Sequence, residues 1–431
     1  MHRSLIVSLS APEAADPNRF GPKAANLARL GHGGLPIPVG FCVDAEAYRL
    51  QLAASGLAAR ARRVMSTDPG EARRAALAMK LGLLDGPIVG EVLDPLLDAW
   101  RALSTRTAAP SVVRSSALVE DRFGSSFAGQ FQSYLGLEGE EEFLTAVRSC
   151  WAALWATRVL RYMATHDASP ADTAMAVLVQ PLVEARAAGG GLSRTAEGDL
   201  VLTATKGLGV AIAQGEVVPD RFVISRDGAL RDATAGRVSH RTGCAHGARL
   251  PRFTPIAEAC LTAAQAIELG ALLHKAEDVM SMPVEIEWAL DDSGFKLLQA
   301  RPLHMEPMPI PDEIWQRHPG LNGHPGGVGW GSGRACVVNC ECELSRVGPG
   351  DILVTRVAGP SLAHVLPRVA GVVAELGGST SHLASLARER GIPAVLGVLD
   401  ATGRIPDGVQ VAVDGVAGVV RWVPESLGIG R

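Results

Sequence analysis

Apolar positions recur at two different periods along this chain, and the switches between them mark its elements. Small and apolar residues repeat at helical spacing around Ala24 to Leu30, and "GGLPIPVGFCV" then turns the chain into a short apolar strand. Residues 70–105 and 140–166 are rich in Ala and Leu and predict helices. Between them, "SVVRSSALVEDRFGSSFAGQFQSYLGL" carries β-branched and hydroxyl residues punctuated by glycine, which predicts strands joined by a loop. "AMAVLVQPLV" is a buried-strand run. "DLVLTATKGLGVAIAQGEVVPDRFVIS" reads as strand, glycine-rich turn and strand, and 255–279 as a helix. In "VEIEWALDDSGFKLLQARPL" every second position, Val284, Ile286, Trp288 and Leu290, is apolar ahead of a turn at Asp292-Ser293-Gly294, the pattern of a hairpin.

The period disappears over residues 304–331, "HMEPMPIPDEIWQRHPGLNGHPGGVGWG", where Pro and Gly dominate, so this stretch is expected to be a linker. Beyond it strands are expected near 334–339, 352–356, 370–375 and 394–397, with a closing hairpin from Val409 to Val419. The expected organisation is a large domain, 1–303, the linker 304–331, and a small domain, 332–431. No internal repeat and no low-complexity tract interrupts it.

In the small domain, "ELGGSTSHLASLARERGIPAV" carries one histidine at the start of a helical pattern. Leu383, Leu386 and Ala387 recur at helical spacing, Arg388 and Arg390 occupy the last turn, and Gly391 followed by Pro393 stops the helix. Ser381 is the expected N-cap, which puts His382 in the first turn, where free N–H groups and the helix dipole favour anions. Two readings fit: a surface histidine that merely follows a cap, or a neutral imidazole nucleophile that accepts a phosphoryl group beside an anion-friendly helix end.

The hairpin carries the other suggestive chemistry. With Gly294 at the left-handed position of a three-residue loop, Glu287 pairs with Gln299 and Glu285 with Arg301, all on one face. Such a face suits an oxygen-ligated Mg²⁺ beside a phosphate held by a guanidinium, or equally a solvated face with cross-strand ion pairs. Upstream, Arg114 ends a strand before two hydroxyl residues, the loop around Gly129 is built of small residues, and Lys23 precedes a helix. These groups can grip and wrap a triphosphate. Each also has a plain structural reading, as a salt bridge or an exposed helix-start lysine. Neither a Walker A sequence nor a GxGxxG fingerprint is present.

Composition changes this picture little. Charged residues make up 20% and the formal net charge is −4, with no basic excess to suggest nucleic acid. The first residues, "MHRSLIVSLSAPEAAD", hold an apolar run too short for a signal peptide, and no window approaches a membrane span, so a cytoplasmic location is expected. Of the seven cysteines, Cys336, Cys340 and Cys342 in "CVVNCEC" lack a CxxC pair and a histidine at finger spacing. Reduced thiols in a strand are expected there, and no metal.

In order, "FGPKAANLARL", "GLPIPVGF", "VVRSSALVEDRFGSSFAGQFQSYL", "VLVQPLV", "VPDRFVIS" and "IEWALDDSGFKLLQARPL" resemble the ATP-binding domain of the phosphoenolpyruvate synthase, pyruvate phosphate dikinase and rifampicin phosphotransferase family. Residues 348–420 resemble that family's swivelling phosphohistidine domain, so the likeness spans nearly the whole chain. It implies an α/β (α+β) fold, an ATP-grasp-like nucleotide-binding domain followed by a small swivelling β/α phosphohistidine domain. It implies ATP and Mg²⁺ as cofactors, with Lys23, Arg114, Gly129, Ser133, Gln180, Glu287, Gln299 and Arg301 binding ATP and Glu287 and Gln299 also holding the metal. His382 would take the phosphoryl group from the β-position of ATP, leaving AMP.

Two motifs depart from the family. Phe20, Gly21 and Pro22 stand where paired glycines usually precede the lysine, and Val210 stands where an acidic residue usually follows Gly-Leu-Gly. The pyruvate-binding barrel and the drug-binding domain have no counterpart in this sequence. Three functions fit: an ATP-dependent phosphotransferase acting on a small-molecule acceptor bound between the domains or on a partner subunit; a biosynthetic ligase that activates its acceptor by phosphorylation; and a regulatory phosphocarrier.

Overall fold

Among the described residues this α/β chain forms four sheets with helices packed on them, one of the four a small sheet of Phe253–Pro255, Arg237–Ser239 and Val217–Val218. The computed structural model describes residues 4–64, 69–120, 131–164, 169–195, 197–213, 215, 217–239, 253–255, 259–303, 318–356 and 358–424. The chain divides into two units, Met1–Glu184 with Lys296–Arg301, and Ala185–Phe295 with Pro302–Arg431. No helix among the described residues is long and apolar enough to cross a membrane.

The first unit is built on an antiparallel sheet whose strands run in the order Ile6–Ser8, Phe41–Val43, Met175–Pro181, Ser111–Ala117, Ser133–Leu137. Against it packs the helix Pro17–His32, started by Asp16, whose carboxylate accepts from Asn18 N at 2.9 Å. That helix breaks at Gly21, which takes φ 72° and ψ 160° ahead of Pro22. A side chain at Gly21 would run into the Ser116 carbonyl and hydroxyl, so glycine serves both the backbone angle and the close approach. The helix restarts with its Ala24 N–H donating to Ser116 Oγ at 3.2 Å, a cap supplied by the neighbouring strand.

In the second unit an antiparallel sheet runs Leu230–Thr234, Asp220–Ile224, Leu200–Lys206, Ala187–Leu192, Val284–Asp291. The expected alternation is realised. Val284, Ile286, Trp288 and Leu290 are buried, and the helix Ala263–Met280 covers that side through Leu269 and Leu273. Gly294 follows the turn with φ 110° and opens the strand Gly294–Pro302. The helix expected over 255–279 begins only at Ala263, where Thr262 and Gln265 form a reciprocal capping box. The glycine-rich turn after Lys206 contains a single helical turn, Val210–Ala213.

A mixed sheet completes this unit: Gly320–Asn322, Val419–Trp422, Gln410–Asp414, Trp330–Val338, Ile352–Thr355, Gly371–Ala374, Ala394–Leu396, His324–Pro325. Its four central strands, from Trp330–Val338 through Ala394–Leu396, are joined by three parallel ladders, with a core of Ile352, Val354, Val373, Val395, Val411 and Val413. Strands thus occur at 320–322, 324–325 and from 330 within the stretch read as a linker; residues 304–317 lie outside the described residues. Cys336 sits on a strand as expected, but Cys340 and Cys342 do not. Cys340 caps a short 3-10 helix, Glu341–Arg346, that contains Cys342.

Candidate functional site

In the first unit three of the sequence-picked residues converge on the strand Ser111–Ala117. Lys23 Nζ donates to the Ser115 carbonyl at 2.9 Å and pairs with Glu120 Oε2 at 3.1 Å, with both side chains nearly buried. Burial pushes the Cys150 thiol close by up to about 12, so it stays neutral. Arg114 donates from Nη1 to the Leu298 carbonyl at 2.5 Å and from Nη2 to Gln299 Oε1 at 2.9 Å. The planar fork of an arginine spans two acceptors in this way where an ammonium could not. Ser133 stands directly across the ladder from Arg114 and is exposed. Arg301 is buried on the strand Gly294–Pro302. Gln180 is buried too, and its amide donates to the Pro38 carbonyl at 3.1 Å. Gly129 lies outside the described residues.

The second unit builds the histidine end. His382 opens the helix His382–Glu389, as the sequence reading expects, and Ser381 is its N-cap, accepting from Ala384 N at 3.3 Å. At the far end Gly391 takes φ 63°, and Ile392 N returns to the Ala387 carbonyl at 2.8 Å, the pattern that closes a helix on glycine. The helix crosses between the parallel strands Gly371–Ala374 and Ala394–Leu396, so its start lies past the carboxyl end of a strand, where such folds hold ligands.

The loop before His382 rests on the sheet to which the Glu287 strand belongs, over the neighbouring strands Ala187–Leu192 and Leu200–Lys206. Glu287, Gly190 and Thr203 are register partners across three adjacent strands, so their side chains would share one face. Thr380 sits on this row, its Oγ1 2.5 Å from Thr203 Oγ1, over the place where Gly190 has no side chain. Gly377 N also donates to the Val217 carbonyl at 3.0 Å, and Gly378 lies against Pro219. Glu285, two residues from Glu287 and therefore on the same face, accepts from Arg388 Nη2 at 2.8 Å and from Ser385 Oγ at 3.1 Å. Periodicity missed this role: Arg388 reads from sequence as an ordinary last-turn cation, and Glu285 as a hairpin partner of Arg301.

The donor chemistry fits the implied cofactors. Glu287 in the second unit and Gln299 in the first each offer a hard oxygen atom of the kind Mg²⁺ prefers, and no group of three or more His, Cys, Asp or Glu side chains gathers among the described residues. The cations Lys23 and Arg114 are held by carbonyls and side-chain oxygens in a partly buried setting that suits a polyanion.

Two known families match this chain over separate stretches. Residues 17–316 match the family described as pyruvate phosphate dikinase, AMP/ATP-binding domain, and residues 347–418 match PEP-utilising enzyme, mobile domain. Phosphoenolpyruvate synthase of Aeropyrum pernix is 32% identical over 97% of this chain and 58% of its own length. Phosphoenolpyruvate synthase of Escherichia coli K12 is 29% identical over 96% of this chain and 56% of its own. A prodigiosin synthesizing transferase of Serratia marcescens, PigC, is 33% identical over 72% of this chain and 34% of its own. The chain thus spans little more than half the length of the phosphoenolpyruvate synthases it matches.

Proposed function

Because the chain belongs to the pyruvate phosphate dikinase AMP/ATP-binding family and carries the PEP-utilising mobile domain, we propose that it is an ATP-dependent phosphotransferase: it charges His382, releases AMP, and passes the phosphate to a small-molecule acceptor. An imidazole nitrogen of His382 attacks the β-phosphorus, and the bond to the oxygen bridging the α-phosphate breaks. AMP departs with that electron pair. Water then attacks the γ-phosphorus, inorganic phosphate leaves, and the β-phosphoryl group stays on His382. Transfers of this kind need in-line placement and charge neutralisation more than covalent help from the protein.

Lys23, Arg114 and Arg301 supply the positive charge, and Gln299 orients the Arg114 fork. Glu287 and Gln299 hold Mg²⁺, which when bound neutralises phosphate charge. Ser133, the loop around Gly129, and Gln180 complete the nucleotide site. The acceptor meets His382 in a cleft of this chain or on a partner subunit.

The observation that carries this reading is the row Glu287, Gly190, Thr203 with Thr380 seated on it, two residues from His382. It brings the nucleophile's loop to the face that bears the metal candidate. The test is incubation with ATP and Mg²⁺, following AMP and acid-labile phosphate on the protein. His382→Ala should abolish the label and retain nucleotide binding; a wild-type chain that yields neither AMP nor label rejects the reading.

The likeness to a transferase named for prodigiosin synthesis favours a second reading, in which the phosphate activates an acceptor for bond formation. A product that keeps the phosphate identifies phosphorylation, and phosphate released as a new bond forms identifies ligation. Label that discharges only onto another protein identifies a carrier.

A further inference from the structure

Glu285, Ser385 and Arg388 form a buried cluster that the phosphate chemistry does not use. We propose that Glu285 is a positioning residue: its contacts to Ser385 and Arg388 seat the histidine helix in one rotational setting on the strand Val284–Asp291, and so aim His382 along the face that carries Glu287. The inference rests on the phosphotransferase reading for its functional consequence, but the seating itself does not.

The geometry carries it in three steps. His382, Ser385 and Arg388 are spaced three apart and lie along one ridge of the helix. Glu285 touches the second and third members, through Ser385 Oγ at 3.1 Å and Arg388 Nη2 at 2.8 Å, so the direction of the first is set with them. Arg388 also donates from Nη1 to the Ser379 carbonyl at 2.6 Å, which ties the loop ahead of His382 to the same guanidinium. One carboxylate thereby fixes both the helix and the loop that flank the nucleophile.

Burial explains why an ion pair serves here. The two side chains are 5% and 7% exposed, so forming the pair strips water from both charges, and that loss offsets much of their attraction. Such a contact adds register rather than raw adhesion. An apolar patch of the same size would hold the helix more tightly and with less definition of its rotation. Arg388 meets the carbonyls of Ser379 and Gly326 within its own sheet layer, whereas Glu285 belongs to the strand beneath. A mobile domain must leave and return to the same setting, and two charges that are hydrated when parted and pair again on each return do this.

The test uses the full chain with Thr203→Cys and Thr380→Cys as a disulfide trap for the seated loop, read alongside single-turnover labelling of His382 from [β-³²P]ATP. Glu285→Gln should slow both trapping and labelling by about 10- to 100-fold, as misplacement of a reacting group does, while the ATP Kd stays within about twofold. The charge-exchanged pair Glu285→Arg with Arg388→Glu should recover both rates by about tenfold over either single reversal, which also shows that the variants fold. Trapping unchanged in Glu285→Gln overturns the proposal, and so does slowed trapping with unchanged labelling. A wild-type chain that takes no label, but whose trapping still depends on Glu285, keeps the seating and rejects the phosphotransferase reading alone.

Discussion

Gly190→Ala is a one-atom test of whether His382 must reach the Glu287 face. A Cβ at position 190 would lie 2.5 Å from Thr380 Cβ and 2.7 Å from its Cγ2 and Oγ1, against a usual carbon separation of about 3.5–4.0 Å. No rotamer relieves this, because the added atom is fixed to the backbone. Overpacking of this kind costs about 1–3 kcal/mol. The sheet itself need not bear that cost, since the histidine loop can lift away, so it appears as a docked population reduced by about 5- to 150-fold. Backbone entropy moves the other way, because alanine in a strand is favoured over glycine by about 0.5–1 kcal/mol, and the fold should keep its stability. Rapid-quench labelling from [β-³²P]ATP, with calorimetric ATP binding and a urea melt on the same sample, separates these effects. The expected result is slow labelling with unchanged ATP affinity and melting. Labelling within about twofold of wild type would refute the reasoning, since Thr380 would then not need its seat.

Lys23→Met should lower stability by about 3 kcal/mol by leaving the buried Glu120 carboxylate beside an apolar chain, and should weaken ATP binding as well. Adding Glu120→Gln should restore the urea midpoint but not the ATP affinity; recovery of both would make Lys23 purely structural. Arg114→Lys cannot span the Leu298 carbonyl and Gln299 Oε1 together, so ATP affinity should drop about tenfold by calorimetry, and an unchanged Kd would remove Arg114 from the site. Burial, aided by the charges of Arg221 and Arg237, holds the His324 imidazole down at about 4. Between its ordinary value of about 6.5 and that value the unfolded chain binds a proton that the folded chain refuses, so stability falls as pH falls, by about 3 kcal/mol across this window. His324→Gln should flatten that part of the acid limb in urea melts between pH 7 and pH 4.5, and an identical pH slope in both proteins would contradict it.

The parts of this fold that local patterns specify were legible in the sequence. Alternation at Val284, Ile286, Trp288 and Leu290 gave away the strand, though not that Glu285 and Ala289 on its other side are buried as well, and Ser381 with Gly391 bracketed the histidine helix, because caps and stops act within a few residues. Glycine obscures strands where it serves close approach. The strand Ala187–Leu192, "AAGGGL", has a composition that reads as a turn, yet a side chain at Gly189 would strike the Thr203 carbonyl of the next strand. Likewise Gly327 and Gly331, in the stretch read as a linker, press on the carbonyls of Ile392 and Ala370. The helix start at Ala263 was marked by Thr262 and Gln265, a capping-box signal that periodicity alone overlooked.

The candidate site divides in the same way. Lys23 stood out at a helix start, Arg114 at an expected strand end and Gln299 as the hairpin partner of Glu287; Arg114 in fact lies mid-strand in Ser111–Ala117, and the first unit gathers the three on carbonyls and side-chain oxygens. Glu120 and Ser116, which hold the lysine and the helix behind it, carry no sequence signal that separates them from ordinary loop and strand residues. The Glu285 and Arg388 pair joins residues 103 apart in the chain, and no local period reports such a contact.

The most direct measurement of the central claim is the fate of each phosphate of ATP on the intact chain. Incubated with Mg²⁺ and either [α-³²P]ATP or [β-³²P]ATP, the protein should acquire acid-labile label only from the β-position, on the peptide containing His382, with the α-label recovered as AMP. Label on another residue, α-label retained on the protein, or ADP in place of AMP would contradict the account.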